Sequence, residues 1–272
     1  MFLQERQEKI LEYVNKHEKA STKELSQMFQ ISLVTIRSDI NELDRKGLLL
    51  KTHGGAMSLL GKFDFETPSF VKDMINVDAK KKIGEAAASL ISDNDVIILD
   101  SGTTTLQVAN AITKKNITVI TNDLKIALVL AEKGISVIMP GGTVVPNIYA
   151  VSGTDTEDFF RRIRANKLFL GVDAIDFDEG ISNRTLRDVG VKKTMIDAAK
   201  KVIAVCDHSK CGKTVFAMLC KTDRLDMFIT DELGSEDRKN LLLKGVEPIV
   251  TSEKIRKAPC GEENEEKDRE ES

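Results

Sequence analysis

The sequence has no tryptophan, four cysteines and five prolines, and aromatic residues make up only 5% of its 272 positions. So few cysteines in a chain of this length exclude a disulfide-stapled scaffold, and Cys206, Cys211, Cys220 and Cys260 are expected to be reduced thiols. Cys206, His208 and Cys211 lie close together, but they lack the paired spacing and the fourth ligand of a zinc site, so neither a metal nor a cofactor is expected. No apolar run approaches the ~18–20 residues that span a bilayer. Met1 to Asn15 is charged and amphipathic, unlike a signal peptide, and the chain is expected to be cytoplasmic with no membrane partner. Neither sign of charge dominates: the formal net charge is −3, and residues 1–57 carry nine Lys/Arg against eight Asp/Glu. Overall charge therefore argues neither for nor against a nucleic-acid partner, and only local pattern can decide.

What is present is an ordinary globular composition, 41% hydrophobic and 31% charged, in a length that suits about two domains. Gln4 to Lys16 sets Ile10, Leu11 and Val14 at helical spacing. Ser21-Thr22-Lys23-Glu24 fits a capping box, opening a short helix that ends near Phe29. After a turn at Gln30-Ile31, Ser32 can cap a third helix, which runs to about Lys46 and stops at Gly47. Leu48 to Leu50 reads as a strand, and Thr52-His53-Gly54-Gly55 turns it back as a wing. Residues 58–76 hold Gly61, Pro68 and no sustained period, and read as a linker. From 77 to 251, apolar strand-like runs alternate with amphipathic helices: strands at Val96–Asp100, Ile117–Thr121, Ile135–Met139, Lys167–Val172, Val202–Cys206, Asp226–Thr230 and Pro248–Thr251. That alternation predicts a mainly parallel sheet covered on both faces. Residues 252–272 close the chain. From Glu262 to Ser272 there are seven acidic and two basic residues and no large apolar one, so this tail is expected to stay solvated and unordered.

In the third helix, Ile36, Ile40 and Leu43 fall at i, i+4 and i+7 and face a small core. Thr35, Arg37, Ser38 and Asn41 then turn outward or to the flanks, with side chains that can reach phosphates and base edges in a major groove. Ser32 stands at the helix start, where free N–H groups favour a phosphate oxygen. Lys51 and His53 are placed to touch the DNA backbone from the wing. The ordered set Glu5-Arg6-Gln7, Ile10-Leu11, Glu24-Leu25, Ser32, Thr35-Ile36-Arg37-Ser38-Asp39-Ile40, Leu43, Gly47 and His53-Gly54-Gly55-Ala56 resembles the DeoR family of transcription regulators over about the first 57 residues. Ser38 stands where that family usually has a second arginine.

In the second half, Asp100-Ser101-Gly102-Thr103-Thr104-Thr105 follows an apolar strand and opens a helix. Gly102 allows close backbone approach, and Thr103 to Thr105 offer N–H and hydroxyl donors where the helix dipole favours an anion. Gly141-Gly142, Gly171-Val172-Asp173 and Asp207-His208-Ser209-Lys210 follow further strands, at the carboxyl ends where open α/β sheets gather ligands. The stretch 77–251 resembles the DeoR effector domain, similar in fold to ribose-5-phosphate isomerase. Besides the loops just named, Thr121-Asn122, Lys192-Lys193, Met195-Ile196 and Thr230-Asp231 carry the match. The resemblance implies a phosphosugar held at its phosphate by Gly102 to Thr105 and Lys210, and at its hydroxyls by Asp100 and Asp173. Leu170 stands where the isomerases carry an acid, and their lysine–triple-glycine segment is absent, which leaves no evident proton-transfer pair.

The expected architecture is α/β: a winged helix-turn-helix over 1–57, a linker over 58–76, a mainly parallel, Rossmann-like effector domain over 77–251 and a charged tail over 252–272. The expected function is a ligand-controlled repressor of a sugar-metabolism operon, a homo-oligomer whose partners are double-stranded operator DNA and a phosphorylated sugar. Two alternatives fit the same pattern less well: a sugar-phosphate isomerase or deaminase with an added module, and a constitutive DNA binder whose α/β domain only assembles. Leu170 and the missing lysine segment disfavour the first, and the loops at Asp100–Thr105 and Asp207–Lys210 disfavour the second.

Overall fold

The computed structural model describes residues 3–46, 48–58 and 69–252. The N-terminal unit begins with α1 (Leu3–His17), β1 (Lys19–Ser21), α2 (Thr22–Phe29) and α3 (Leu33–Arg45), and ends with β2 (Leu49–Thr52) and β3 (Gly55–Ser58). Local chemistry sets the helix boundaries. Ser21 Oγ accepts from the Glu24 amide while Glu24 reaches back to the Ser21 amide, so two otherwise unpaired donors at the start of α2 are satisfied. Gln30 ends that helix in the left-handed region at φ 54°, and Ser32 caps α3 by accepting from the Thr35 amide. Ile10, Val14, Leu25 and Ile36 are fully buried at the centre of this unit. Arg6 bridges to the buried Asp39 at 2.5 Å, which ties α1 to α3.

The wing is a three-stranded antiparallel sheet in the order β1-β3-β2. The strand β1 was not anticipated, because three residues are too short to show a period. It explains Gly55: a Cβ there would lie 2.1 Å from the Ala20 carbonyl oxygen, so only glycine lets β1 and β3 approach. The expected helix stop at Gly47 and the tail from residue 253 lie outside the described residues. So do residues 59–68 of the expected linker. The rest of that stretch is structured: Ser58 ends β3, and a short helix, α4 (Ser69–Asp73), buries Val71 in the core of the N-terminal unit.

The second unit follows in chain order. It runs through α5 (Val77–Ser89), β4 (Val96–Leu99), α6 (Thr103–Ala111), β5 (Thr118–Thr121), α7 (Leu124–Glu132) and β6 (Ser136–Ile138). Next come β7 (Thr143–Val145), β8 (Ala150–Ser152), α8 (Thr154–Arg161), β9 (Ala165–Gly171), β10 (Ala174–Asp176) and β11 (Gly180–Asn183). The unit closes with α9 (Leu186–Ala198), β12 (Ala199–Val205), β13 (Ala217–Cys220), β14 (Met227–Thr230), α10 (Ser235–Leu243) and β15 (Glu247–Val250).

Seven strands form one parallel sheet in the order β15-β14-β12-β9-β4-β5-β6. Both faces are dry, as the continuous apolar runs required. Ile98, Leu168, Leu170, Ala204 and Phe228 point into one core with Phe160, Met195 and Leu241 of α8, α9 and α10. Their neighbours Ile97, Leu99, Phe169, Ile203 and Ile229 point into the other, against Ile83, Val108 and Leu130 of α5, α6 and α7. Two smaller antiparallel pieces, β7-β8 and β10-β11-β13, were not anticipated either; they stand outside the strand–helix alternation of the main sheet.

The topology fixes where a ligand can sit. From β4 the chain steps outward to β5 and β6, then returns to place β9 on the opposite side of β4 and continues through β12, β14 and β15. The strand order reverses between β4 and β9, and a crevice opens beyond the carboxyl ends of strands at such a switch point.

Candidate functional site

Two sites emerge. The first is the outer face of α3. Ile36, Ile40 and Leu43 are buried, while Ser32, Arg37, Ser38 and Asn41 are exposed and Thr35 is half-buried. Ser32 and Thr35 face each other through their hydroxyls at 2.9 Å. Lys51 and His53 are exposed on the β2–β3 hairpin; the Lys51 amide donates to Asp44 at 2.8 Å, leaving its ammonium outward. The expected residues are therefore accessible on α3 and on the hairpin, Thr35 only in part. Val34, 75% exposed, and Leu33 also stand at the start of α3 and were missed. Their signal was positional: apolar residues beside a helix cap with no core to enter, suited to contact a thymine methyl.

The second site is a cavity of about 100 Å³ at the β4/β9 switch point. Of the expected residues, Asp100, Ser101, Gly102, Thr103, Thr104, Asp173 and Lys210 line it together. Three do not. Thr105 is fully buried and its hydroxyl donates to the Gly102 carbonyl, closing the first turn of α6. Gly141 and Gly142 belong instead to the packing of β7 on α8: Thr156 donates to the Gly141 carbonyl at 2.8 Å, and a Cβ on Gly142 would meet the Thr156 hydroxyl at 2.4 Å.

Charge in the cavity is dense, and its two aspartates Asp100 and Asp173 are paired with Lys192 and Lys72. Asp100, 1% exposed, accepts from Lys192 and from the Gly171 amide. Burial alone would push the Lys192 ammonium down, but Asp100 and Asp173 outweigh it and hold it charged. Burial likewise opposes ionised Asp173, yet Lys72, Lys192 and Lys210 keep it well below the usual carboxylate range. Lys72 bridges to Asp173 at 3.2 Å. Lys210 is pushed down by burial and by Lys72. Asp207 accepts from Ser209 and Asn76 and is held ionised by these bonds and by Lys210, against its burial. Ser101 donates to Asp123 at 2.9 Å, and Asp123 caps α7. The start of α6 has no side-chain cap, since Gly102 occupies that position. A helix start without a cap, on a cavity that four lysines line, has the chemistry to attract an anion.

Lys72, Lys80, Lys192, Asn122, Ser152 and Asn183 also line the cavity and were not predicted for the site. Lys192 and Asn122 lay within motifs already noted. Lys72 gave no local signal, because it comes from the stretch taken as a plain linker.

A winged helix-turn-helix followed by a parallel sheet with a charged cavity at its switch point defines a class of protein: a DNA-reading head joined to a small-molecule sensor. The comparisons identify it further. The model of the DeoR-like helix-turn-helix domain matches residues 6–60, and that of the DeoR C terminal sensor domain matches residues 75–232. The chain belongs to the DeoR family of transcriptional regulators. It is 34% identical to the HTH-type transcriptional repressor GlcR of Bacillus subtilis, over 93% of this chain and 98% of that one. It is 30% identical to the Glycerol-3-phosphate regulon repressor of Escherichia coli, over 82% and 88% respectively. Among solved structures, ribose 5 phosphate isomerase A from Neisseria gonorrhoeae is similar at 18% identity and a TM-score of 0.37, over 48% of this chain and 52% of that one. Among the described residues no helix is long and apolar enough to cross a membrane.

Proposed function

We propose that this protein is a cytoplasmic repressor of a sugar-metabolism operon that leaves its operator when a phosphorylated sugar or sugar alcohol fills the cavity at the switch point. The observation that carries this reading is the uncapped start of α6, which opens on the same cavity as Lys72 and Lys210. The phosphate would lie on the Thr103 and Thr104 amides, with the lysines supplying point charges. The glycerol-3-phosphate named in one relative's regulon is consistent with a phosphorylated effector.

Coupling to the head follows from α4. Val71 is buried in the head's core, while Lys72 reaches Asp173 in the cavity and Lys125 holds Ser69 and Asp73. A phosphate that draws Lys72 from Asp173 would act on the element that also anchors the head. A groove of about 1060 Å³ between α1 and the sensor shares Ile75, Asp173, Ser209 and Lys210 with the cavity and gives the head room to shift. The effector must prefer one arrangement: moving a population from 1:99 to 99:1 takes about 5.5 kcal/mol of differential affinity.

The cavity is read as a sensor rather than a catalyst. Leu170, where the isomerases carry an acid, is fully buried in the apolar core. Protein-proportional turnover of ribose 5-phosphate would overturn that part of the reading. The coupling is tested by titrating operator affinity against ribose 5-phosphate, glucose 6-phosphate and glycerol 3-phosphate in the parent, Lys210→Ala and Thr104→Val. Both variants are expected to bind operator as the parent does and to lose its response. Parent-like responses in both would place the phosphate elsewhere.

A further inference from the structure

A lone exposed apolar side chain needs no function by itself, and the surface of this protein carries several. Val34 is set apart by its place on α3. It is 75% exposed and takes no part in the head's core, whose members on this helix are Ile36, Ile40 and Leu43. Leu43 lies about two and a half turns further on, so Val34 stands on the opposite side of the helix from the core. Arg37, Ser38 and Asn41, at i+3, i+4 and i+7 from Val34, are all exposed and form one stripe with it. Val34 is thus the N-terminal member of the solvent stripe of α3, in line with three side chains expected to reach DNA. Leu33 shares its side of the helix with the buried Ile40, at i+7, and is less exposed at 42%.

The residue type is also informative. A β-branched residue in an exposed helix stripe adds nothing to helix stability, and alanine or a long charged residue would serve better there. In the second helix of a helix-turn-helix, the N-terminal residues meet base edges in the major groove. That groove offers an apolar group at one kind of base alone, the C5 methyl of thymine. We infer that Val34 is a specificity-determining residue that reads one thymine in each operator half-site through that methyl. Contact removes the valine methyls and the thymine methyl from water together, which rewards thymine over cytosine, whose edge carries no methyl. The discrimination is hydrophobic, and it adds a base preference to the polar contacts of Arg37, Ser38 and Asn41. The inference rests on α3 being the DNA-reading helix and is independent of the cavity and its effector.

The test begins with an operator selected from randomised duplexes by the full chain. Each thymine is then replaced in turn by deoxyuridine, which differs only in lacking the C5 methyl. Affinity is read by fluorescence anisotropy at fixed salt for the parent, Val34→Ala and Val34→Ser. At one position in each half-site, loss of the methyl is expected to weaken parent binding by about 4-fold, the worth of one buried methyl-sized group, and variant binding by less than about 1.5-fold. The other replacements should cost the variants what they cost the parent. Because Val34 is exposed, the variants' melting temperatures should match the parent's. A parent indifferent to every replacement overturns the inference, and so does a methyl effect that persists unchanged in both variants, which would assign the methyl to another side chain. A lowered melting temperature with the methyl effect intact overturns it in favour of a packing role. Self-association without DNA that both variants abolish, again with the methyl effect intact, overturns it in favour of a second copy of the chain. Failure of the full chain to select any operator overturns the DNA-reading role of α3 and the inference with it, whereas an operator bound without a methyl effect leaves that role standing and removes only Val34 from it.

Discussion

Arg37 is the exposed side chain on α3 best suited to a base edge or phosphate, because Ile36 and Ile40 on either side are locked in the core. Arg37→Ala should weaken operator binding by about 1–3 kcal/mol, the worth of one specific contact. A salt-controlled titration on a selected operator checks this, and equal affinities would remove Arg37 from the interface. Lys80 poses a different question. It is buried, and its ammonium donates to the Ile75 carbonyl at 2.6 Å and to the Lys72 carbonyl. Burial pushes its pKa down to about 8, against 10.5 in the unfolded chain. Between those values the unfolded state binds the proton more readily, so this group's contribution to stability rises as pH climbs from about 8 toward 10.5. Carbon-detected NMR of labelled lysines, assigned with Lys80→Gln, should show one side chain titrating near pH 8. A normal lysine titration there would refute the assignment.

At the scale of elements, α4 carries more than its five residues suggest. It has too few residues to be a stable helix by itself, since isolated helices shorter than about 12 residues are marginal. It is held by partners on both sides: the head's core around Val71, and Asp173, Lys125 and the Asn147 carbonyl in the sensor. An element so held can change partners without unfolding a domain. Lys72→Met should therefore weaken operator binding in the absence of ligand, because it removes the bridge to Asp173 as the ligand would, and raise the ligand concentration for half-release by roughly 10-fold or more, the worth of a charge-assisted bond. Fluorescence anisotropy on labelled operator measures both. An unaltered half-release concentration would dissociate α4 from the response. The same element shows why part of the site was hidden. Lys72 and Asp173 lie 101 residues apart, and Lys192 and Asp100 lie 92 apart. No spacing rule connects such positions. The caps at Ser21 and Ser32 were legible because each partner lies three residues away.

For the whole molecule, a single short recognition helix reads too few bases for strong specificity, and paired half-sites are the usual remedy. The sensor exposes apolar side chains at Phe216 and Met218 on or beside β13 and at Leu242 and Leu243 on α10. We expect a dimer or larger assembly. Light scattering that shows only monomer at micromolar concentration, with and without DNA, would contradict this. The division between sequence and tertiary structure follows from the range of the interactions. Hydrophobic period, helix caps and strand-end loops are local, so the head, the parallel sheet and the Asp100–Thr104 loop could be read from the chain alone. The short elements β1, β7, β8, β10, β11, β13 and α4 went unseen because they stand outside the strand–helix alternation that marked the equally short strands of the parallel sheet. Only the folded sheet, by reversing its strand order between β4 and β9, brings Asp100, Asp173, Lys210 and Lys72 around one cavity. Those juxtapositions depend on strand order and on contacts across a hundred residues, which no local pattern encodes.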